Sequence, residues 1–480
     1  MSHGIATSKR WPALYILCLG VLMIVLDTTI VNVALPSIRE DLHFTETSLV
    51  WVVNAYLLTF GGFLLLGGKL GDLFGHRRIF LVGLAVFTLA SAACGLATTQ
   101  FMLVAARAAQ GIGGAVVNAV ALSLIMNMFT EPGERAKAMG IFGFVCSGGG
   151  SIGVLLGGFL TSSFNWHWIF LVNVPIGVIV YALVQTLIPS GRGASDAPRL
   201  DVWGALVVTA SLMLAVYAIV NGNEVGWLSA TTLWKLGVAA ALLAAFIVIE
   251  SRVRAPLMPL SLFRLRSVST ANVIAVLWAA GMFAWFFISA LYLQLVLGRG
   301  PMEVGLAFLP ANVIMAICSL GISAKLVMRF GIRGPLAAGL LLAAVGLLLF
   351  SRAPVDGSVW VDVVPAMALL GVGAGIAFNP LLLAAMNDAP AADSGVASGM
   401  VNTSFMMGGA LGLAVLASLA AAKTSHEVAG GEEAVAALNA GYHLAFSVGA
   451  AFVILAAVLA FLFFRKAVAP AGAPAGGHAM

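Results

Sequence analysis

Blocks of about 20 apolar residues recur along the whole chain, each long enough at about 1.5 Å per residue to cross a bilayer core of about 30 Å. They predict fourteen transmembrane helices, at 13–36, 48–70, 79–97, 101–123, 138–161, 168–188, 200–220, 232–251, 270–296, 304–327, 334–351, 361–386, 395–421 and 441–464. The first block contains one ionisable group. Asp27 lies in the middle of LYILCLGVLMIVLDTTIVNVAL (14–35), where a carboxylate costs about 2.5–3.5 kcal/mol by insertion scales. Desolvation favours its neutral form, so it can take and lose a proton near neutrality, which makes it a candidate coupling site.

Composition agrees with the pattern. The 480 residues are 61% hydrophobic and 9% charged, with a mean hydropathy of +1.06, whereas soluble domains carry about 25% charged residues. Charge then sets orientation. With both termini cytoplasmic, only Arg39, Lys235, Arg299, Arg352 and Lys423 of the 24 basic residues fall outside, Arg107 lies within a helix, and the rest are inside. That asymmetry satisfies the positive-inside rule and argues for an even helix count. The net charge of +5 therefore reflects topology, with no reason to infer nucleic-acid binding.

Other chemistry finds little support. Cys18, Cys94, Cys146 and Cys318 fall in predicted spans outside any CxxC and are expected to be buried apolar residues. The seven histidines show no HExxH spacing, so no metal site is predicted. The longest stretches outside the spans, 189–199 and 422–440, are too short for a soluble catalytic domain, which argues against an enzyme. Met1 to Arg10 leads directly into a full-length span, unlike a cleaved signal peptide.

The chain also repeats itself. GKLGDLFGHRR (68–78) follows the second span and AKLVMRFGIRG (324–334) the tenth; an offset of 256 puts Lys69 on Lys325, Phe74 on Phe330, Gly75 on Gly331 and Arg77 on Arg333. An offset of 259 puts Gly140, Gly149, Gly150 and Gly153 on Gly399, Gly408, Gly409 and Gly412. Both pair helix n with helix n+8. The expected organisation is a six-helix bundle over 1–190, two inserted helices with linkers over 191–267, a second six-helix bundle over 268–466, and an Ala/Pro/Gly-rich disordered tail over 467–480. The ligand path is expected between the bundles.

Three motifs now carry a resemblance. GKLGDLFGHRR looks like the loop signature of the major facilitator superfamily, LDTTIVNVALP (26–36) resembles the first-helix motif of its fourteen-helix drug:proton antiporter branch, and NWHWIFLVNVPIG (165–177) resembles that branch's sixth-helix entry. PLMPLSLFRLRSVSTAN (256–272) adds to the likeness. The resemblance implies an all-α major facilitator fold of fourteen helices in the bacterial inner (plasma) membrane. It implies proton-coupled efflux of small amphipathic or cationic compounds, such as drugs, dyes or antibiotics, by alternating access; the alternative is an exporter dedicated to one metabolite, lipid or natural product. No cofactor is expected beyond the proton gradient. The implied partners are a small-molecule substrate, protons and lipid, with a periplasmic adaptor in a Gram-negative cell, around a monomer.

The resemblance also implies roles. Gly68, Asp72, Gly75, Arg77 and Arg78 would form a gating loop that latches the bundles, or else a positive loop that only fixes topology; Leu73 stands where the family has a basic residue. Arg107, in LVAARAAQGIGGA (103–115), matches a fourth-helix arginine implied in proton transfer. Counted along the helices, Asp27 lies about 14 Å and Arg107 about 9 Å below the outer edge, so they can pair directly, through water or through Gln110. The alternative is an arginine that caps backbone carbonyls. GGGSIGVLLGG (148–158) resembles the antiporter motif, with Gly149, Gly153 and Gly157 one turn apart beside Gly158 and with Val154 in place of the usual proline; it makes either a seam for close packing or a specific antiport element. Asn32, Asn54, Gln110, Asn118, Asn312, Asn379 and Asn402 are polar positions that can face a central cavity, or pack within helices. Trp285, Phe286 and Met406, with Trp278, Phe283, Phe287 and Met407, can supply its apolar wall. Helices 10 and 13 contain no acidic residue, which leaves Asp27 as the cavity's one evident carboxylate and predicts a low proton stoichiometry.

Overall fold

The computed structural model describes residues 7–189, 201–253, 256–387, 389–390 and 393–464; the expected tail at 467–480 lies outside these described residues. Fourteen long helices follow one another: α1 Thr7–Leu42, α2 Val50–Phe74, α3 His76–Gly95, α4 Gln100–Met128, α5 Pro132–Ser163, α6 Trp168–Leu187, α7 Val202–Val225, α8 Ala230–Arg252, α9 Arg266–Val296, α10 Pro301–Phe330, α11 Arg333–Phe350, α12 Val359–Met386, α13 Ser394–Ala429 and α14 Ala434–Phe463. Thirteen of them, among the described residues, are long and apolar enough to cross a membrane. The other is α5, a single helix of 32 residues that runs unbroken through Val154. A bilayer offers no water to backbone N–H and C=O groups, so each span satisfies them within its own helix.

Hydropathy locates the spans better than their ends. Helix α1 continues through Pro36 to Leu42 instead of ending near the proline. Pro36 removes the donor that would pair with the Asn32 carbonyl, and the adjacent Val33 carbonyl accepts from Gln294 Nε2 of α9 at 2.9 Å. The stretch 422–440 is mostly helical, with only residues 430–433 between α13 and α14. Helical hydrogen bonding outlasts the apolar run there, and Lys423 and Glu427 pair one turn apart. Gly68–Arg78 is likewise not a loop. Helix α2 runs to Phe74, Gly75 turns the chain at φ +91°, and α3 starts at His76.

Helices α1–α6 pack among themselves, as do α9–α14, and the two groups meet along α2 against α13 and α5 against α10. The pairing is reciprocal. Each half presents its second and fifth helices to the other, and contacts inside the halves repeat. Gly111 of α4 leaves no room for a side chain against the Tyr56 carbonyl of α2, and Gly371 of α12 leaves none against the Ala311 carbonyl of α10. Gly113 abuts Gly83 and Phe87 of α3, just as Gly373 abuts Gly339 and Ala343 of α11. Gly331 turns the chain after Phe330 at φ +73°, as Gly75 does after Phe74.

The inserted pair sits beside one of these seams. Helix α7 packs on α2 and α13, with Gly62 of α2 closed by Thr209, and α8 packs on α7. Asn223 Nδ2 donates to the Ser418 carbonyl of α13 at 2.7 Å, and Ser418 Oγ donates to the Ile219 carbonyl at 3.2 Å.

Candidate functional site

Asp27 lies in the interior of the first bundle, between α1, α3, α4 and α6. Both it and Arg107 are sealed from solvent, with 0% and 1% of their side chains exposed. Arg107 Nη1 donates to Asp27 Oδ2 at 2.5 Å and to Gln110 Oε1 at 2.7 Å, while its Nε donates to the Val52 carbonyl at 2.9 Å. Gln110 Nε2 and Asn173 Nδ2 donate to Asp27 Oδ1 at 2.8 and 3.2 Å. Both amides also donate to Ser91 Oγ at 3.1 Å, and the Ser91 hydroxyl donates to the Phe170 carbonyl at 2.8 Å. The guanidinium lies 4.4 Å from the centre of the Tyr56 ring and 5.6 Å from that of Phe170. These rings exclude water and favour the cation.

Direct pairing and carbonyl capping by Arg107 therefore coexist in one network. Each contact partner of the carboxylate is a donor: a guanidinium and two amides. These three bonds tie α1 to α4 and α6 through one buried carboxylate. The expectation of Asp27 and Gln110 as cavity residues is corrected: they face the bundle interior, because the polar residues that can satisfy a buried carboxylate lie on the neighbouring helices of the same bundle. Ser91, Asn173 and Tyr56 join the site unforeseen. Asn173 had a visible signal, a lone amide inside the apolar run IFLVNVPIG (169–177).

The other candidates lie partly at the seam between the bundles and partly inside the second bundle, where the aromatic residues pack on one another. Asn312 of α10 is fully buried, and neither atom of its amide has a hydrogen-bond partner. A Cβ on Gly150 of α5 would stand 3.7 Å from its Oδ1, so this amide faces the opposite bundle. One turn earlier, Phe308 stacks on Phe286 at 5.5 Å, and Phe286 lies 4.3 Å from Trp285, whose buried indole Nε1 also lacks a partner. Trp278, Phe283, Phe378 and Phe405 form a second aromatic cluster, with centroids 5.3 to 5.9 Å apart. Asn54 of α2 donates to the Ala410 carbonyl of α13 at 2.9 Å, and Met406 packs on Gly61, so both tie the bundles together. Asn32 and Asn402 donate to carbonyls of their own helices, Asn379 donates to Ser319 within the second bundle, and Asn118 is half-buried on α4.

The glycine stripe divides between two neighbours. Gly149, Gly153 and Gly157 lie against Val25, Leu26 and Ile30 of α1, and Gly158 lies against Pro301 and Met302 of α10. Asp72 Oδ1 lies 3.1 Å from His76 Nε2, and Arg77 donates to the Gln185 carbonyl of α6 at 2.7 Å. Those contacts stay inside the first bundle. Between α1, α5 and α10, at the end predicted to be cytoplasmic, an open recess is lined by Trp11, Tyr15, Lys137, Ile141, Phe144 and Leu320.

The sequence matches the family described as Major Facilitator Superfamily over residues 17–413. The chain belongs to the major facilitator superfamily. It is 37% identical over 462 residues to the puromycin resistance protein of Streptomyces alboniger, covering 95% of this chain and 91% of that protein. It is 39% identical over 422 residues to the cephamycin export protein of Amycolatopsis lactamdurans, covering 87% of each, and 37% identical over 406 residues to the multidrug resistance protein Stp of Mycobacterium tuberculosis, covering 84% of this chain and 74% of that one. Among solved structures, a bacterial homologue of the human lysosomal transporter Spinster, inward-facing and occupied, superposes with a TM-score of 0.67 at 17% identity, covering 96% of this chain and 98% of that one. This superfamily member is thus a multi-pass transporter of the bacterial plasma membrane, not an enzyme, and the relatives above are named for antibiotic or multidrug resistance or for export.

Proposed function

We propose that the protein exports small amphipathic compounds in exchange for protons. The observation that carries this reading is the sealed Asp27–Arg107–Gln110–Asn173 network, an ionisable group inside a transport bundle with no structural need that an apolar residue could not meet. Protonation of Asp27 removes the charge that Arg107 pairs with, which weakens that contact and lets α1 shift; α1 in turn bears the glycine face of α5, whose other face lies on α10. Coupling needs only that proton and substrate prefer different arrangements of the two bundles. The aromatic cluster around Trp285, Phe286 and Phe308, with the unpartnered Asn312 amide, supplies the apolar wall and polar anchor that such a substrate requires.

Asp72 and Arg77 act as the latch in the opposite arrangement, since their contacts here lie within one bundle. A dedicated natural-product exporter is the second reading, favoured by relatives named for puromycin and cephamycin. Proton flux in liposomes decides the first: substrate addition should release protons across the membrane in proportion to transport. Export that proceeds unchanged without any proton flux excludes antiport. Growth protection against a panel of dyes and antibiotics, broad or confined to one compound, separates the two substrate readings.

A further inference from the structure

Asp27 is not the only buried carboxylate. Asp201 and Glu250 are 4% and 3% exposed, at the start of α7 and in the last turn of α8. One oxygen of each is occupied: Asp201 Oδ1 caps Gly204 N at 2.8 Å, and Glu250 Oε2 accepts from Met258 N at 3.1 Å. Their other oxygens, Asp201 Oδ2 and Glu250 Oε1, are buried without a donor. Both converge on one point. A Cβ on Gly204 would stand 2.5 Å from the first and 3.0 Å from the second, and the two side chains are within hydrogen-bonding reach of each other. Two acceptors in contact lack only a proton between them.

The surroundings set the charge. Lys69 of α2 is the cation that acts on both carboxylates, and its ammonium donates to the Pro256 carbonyl at 2.5 Å. Among the described residues, the linker after α8 contributes only backbone groups to the cluster, and Leu257 seals it apolarly with Leu66 of α2 and Ala205 of α7. Among the described residues, two carboxylates and one ammonium leave a single net negative charge. One proton makes it neutral.

We propose that Asp201 and Glu250 form a second proton-binding site, which holds one shared proton and thereby clamps the inserted helices and the linker to the end of α2. With the proton bound, Glu250 donates to Asp201 and the Lys69 charge balances the remaining carboxylate. Its loss sets two carboxylates against each other and loosens the start of α7 and the backbone at Met258. The site lies at the end of α2 that leads into Asp72 and Gly75, beside the α2–α13 seam. The insert thereby reports pH to a moving part of the transporter.

Hydrogen exchange of the full chain in lipid nanodiscs tests this, read at peptides covering 201–206 and 257–260 and corrected for the intrinsic pH dependence of exchange. The wild type should show protection that falls several-fold as pH rises through one transition. Glu250→Gln, which stays neutral and can still donate, should keep that protection at every pH, and Asp27→Asn should leave the wild-type transition in place. A pH-independent wild type, or Glu250→Gln with the wild-type transition, overturns the proposal. Should Glu250→Gln fail to fold, Asp201→Asn retains the cap on Gly204 and removes the shared proton, with the same two outcomes.

Discussion

Arg107 and Asp27 meet at 2.5 Å with almost no surface of either in contact with solvent. The pair spans α1 and α4, and Gln110 and Asn173 hold its second oxygen from α4 and α6. Substituting Asp27→Asn leaves the guanidinium without its counter-charge, and removing one partner of a buried pair costs about 3–5 kcal/mol in soluble proteins. The variant is expected to insert, to melt at lower temperature, and to lose pH-driven export. Transport in inverted vesicles checks this; proton-driven efflux at the wild-type rate would remove Asp27 from the mechanism.

Asn173→Ala removes one donor from the charged carboxylate. Hydrogen bonds to charged groups are worth about 1.5–3 kcal/mol, so this variant is expected to melt at lower temperature and to export more slowly. Ser91→Ala, which touches Asp27 only through the two amides, should change both less. Melting temperatures and export rates give both numbers, and equal values for all three proteins would show that these donors do not support the site.

Gly153 and Gly150 are one turn apart yet make opposite demands. A Cβ at Gly153 would run into Thr29 Oγ1 and lie 2.9 Å from the Leu26 carbonyl, whereas at Gly150 the nearest atom is 3.7 Å away. Overpacking of this kind costs about 1–3 kcal/mol. Gly153→Ala should lower the melting temperature, with partial rescue by Thr29→Ala, and Gly150→Ala should leave it nearly unchanged. Thermal unfolding in detergent distinguishes them.

Asn312 carries two buried polar atoms without partners. Leaving such a group unsatisfied costs about 1–3 kcal/mol, so Asn312→Leu should leave stability equal or raised while export and substrate affinity fall. A melting temperature that drops while transport persists would instead assign this amide to packing.

How far the sequence carried this picture differs from element to element. Thirteen of the predicted spans coincide with helices long and apolar enough to cross a membrane among the described residues, because a block of apolar residues in a bilayer satisfies its backbone within a helix. The ends were not legible where helices outlast the apolar run, as at 422–440, or pass through a proline, as at Pro36. Gly75 and Gly331 were matched by sequence, and both prove to be turns in the left-handed region. Glu250 stood at the edge of the predicted span 232–251 and passed unnoticed, because only the packing of α7, α2 and the linker around it makes that position buried.

What the amino-acid sequence determined by itself is the membrane solvent of this protein, its helices and the single costly charge in the first of them, since each depends on local composition and on transfer energies along one segment. Only the tertiary structure decided which way Asp27 faces and what it pairs with. Hydrogen-bond partners come from residues far apart along the chain, and a carboxylate between α1, α3, α4 and α6 meets Arg107, Gln110 and Asn173 only when those helices pack. The same reason hid Asp201 and Glu250 from the sequence: burial of a side chain is a property of its neighbours.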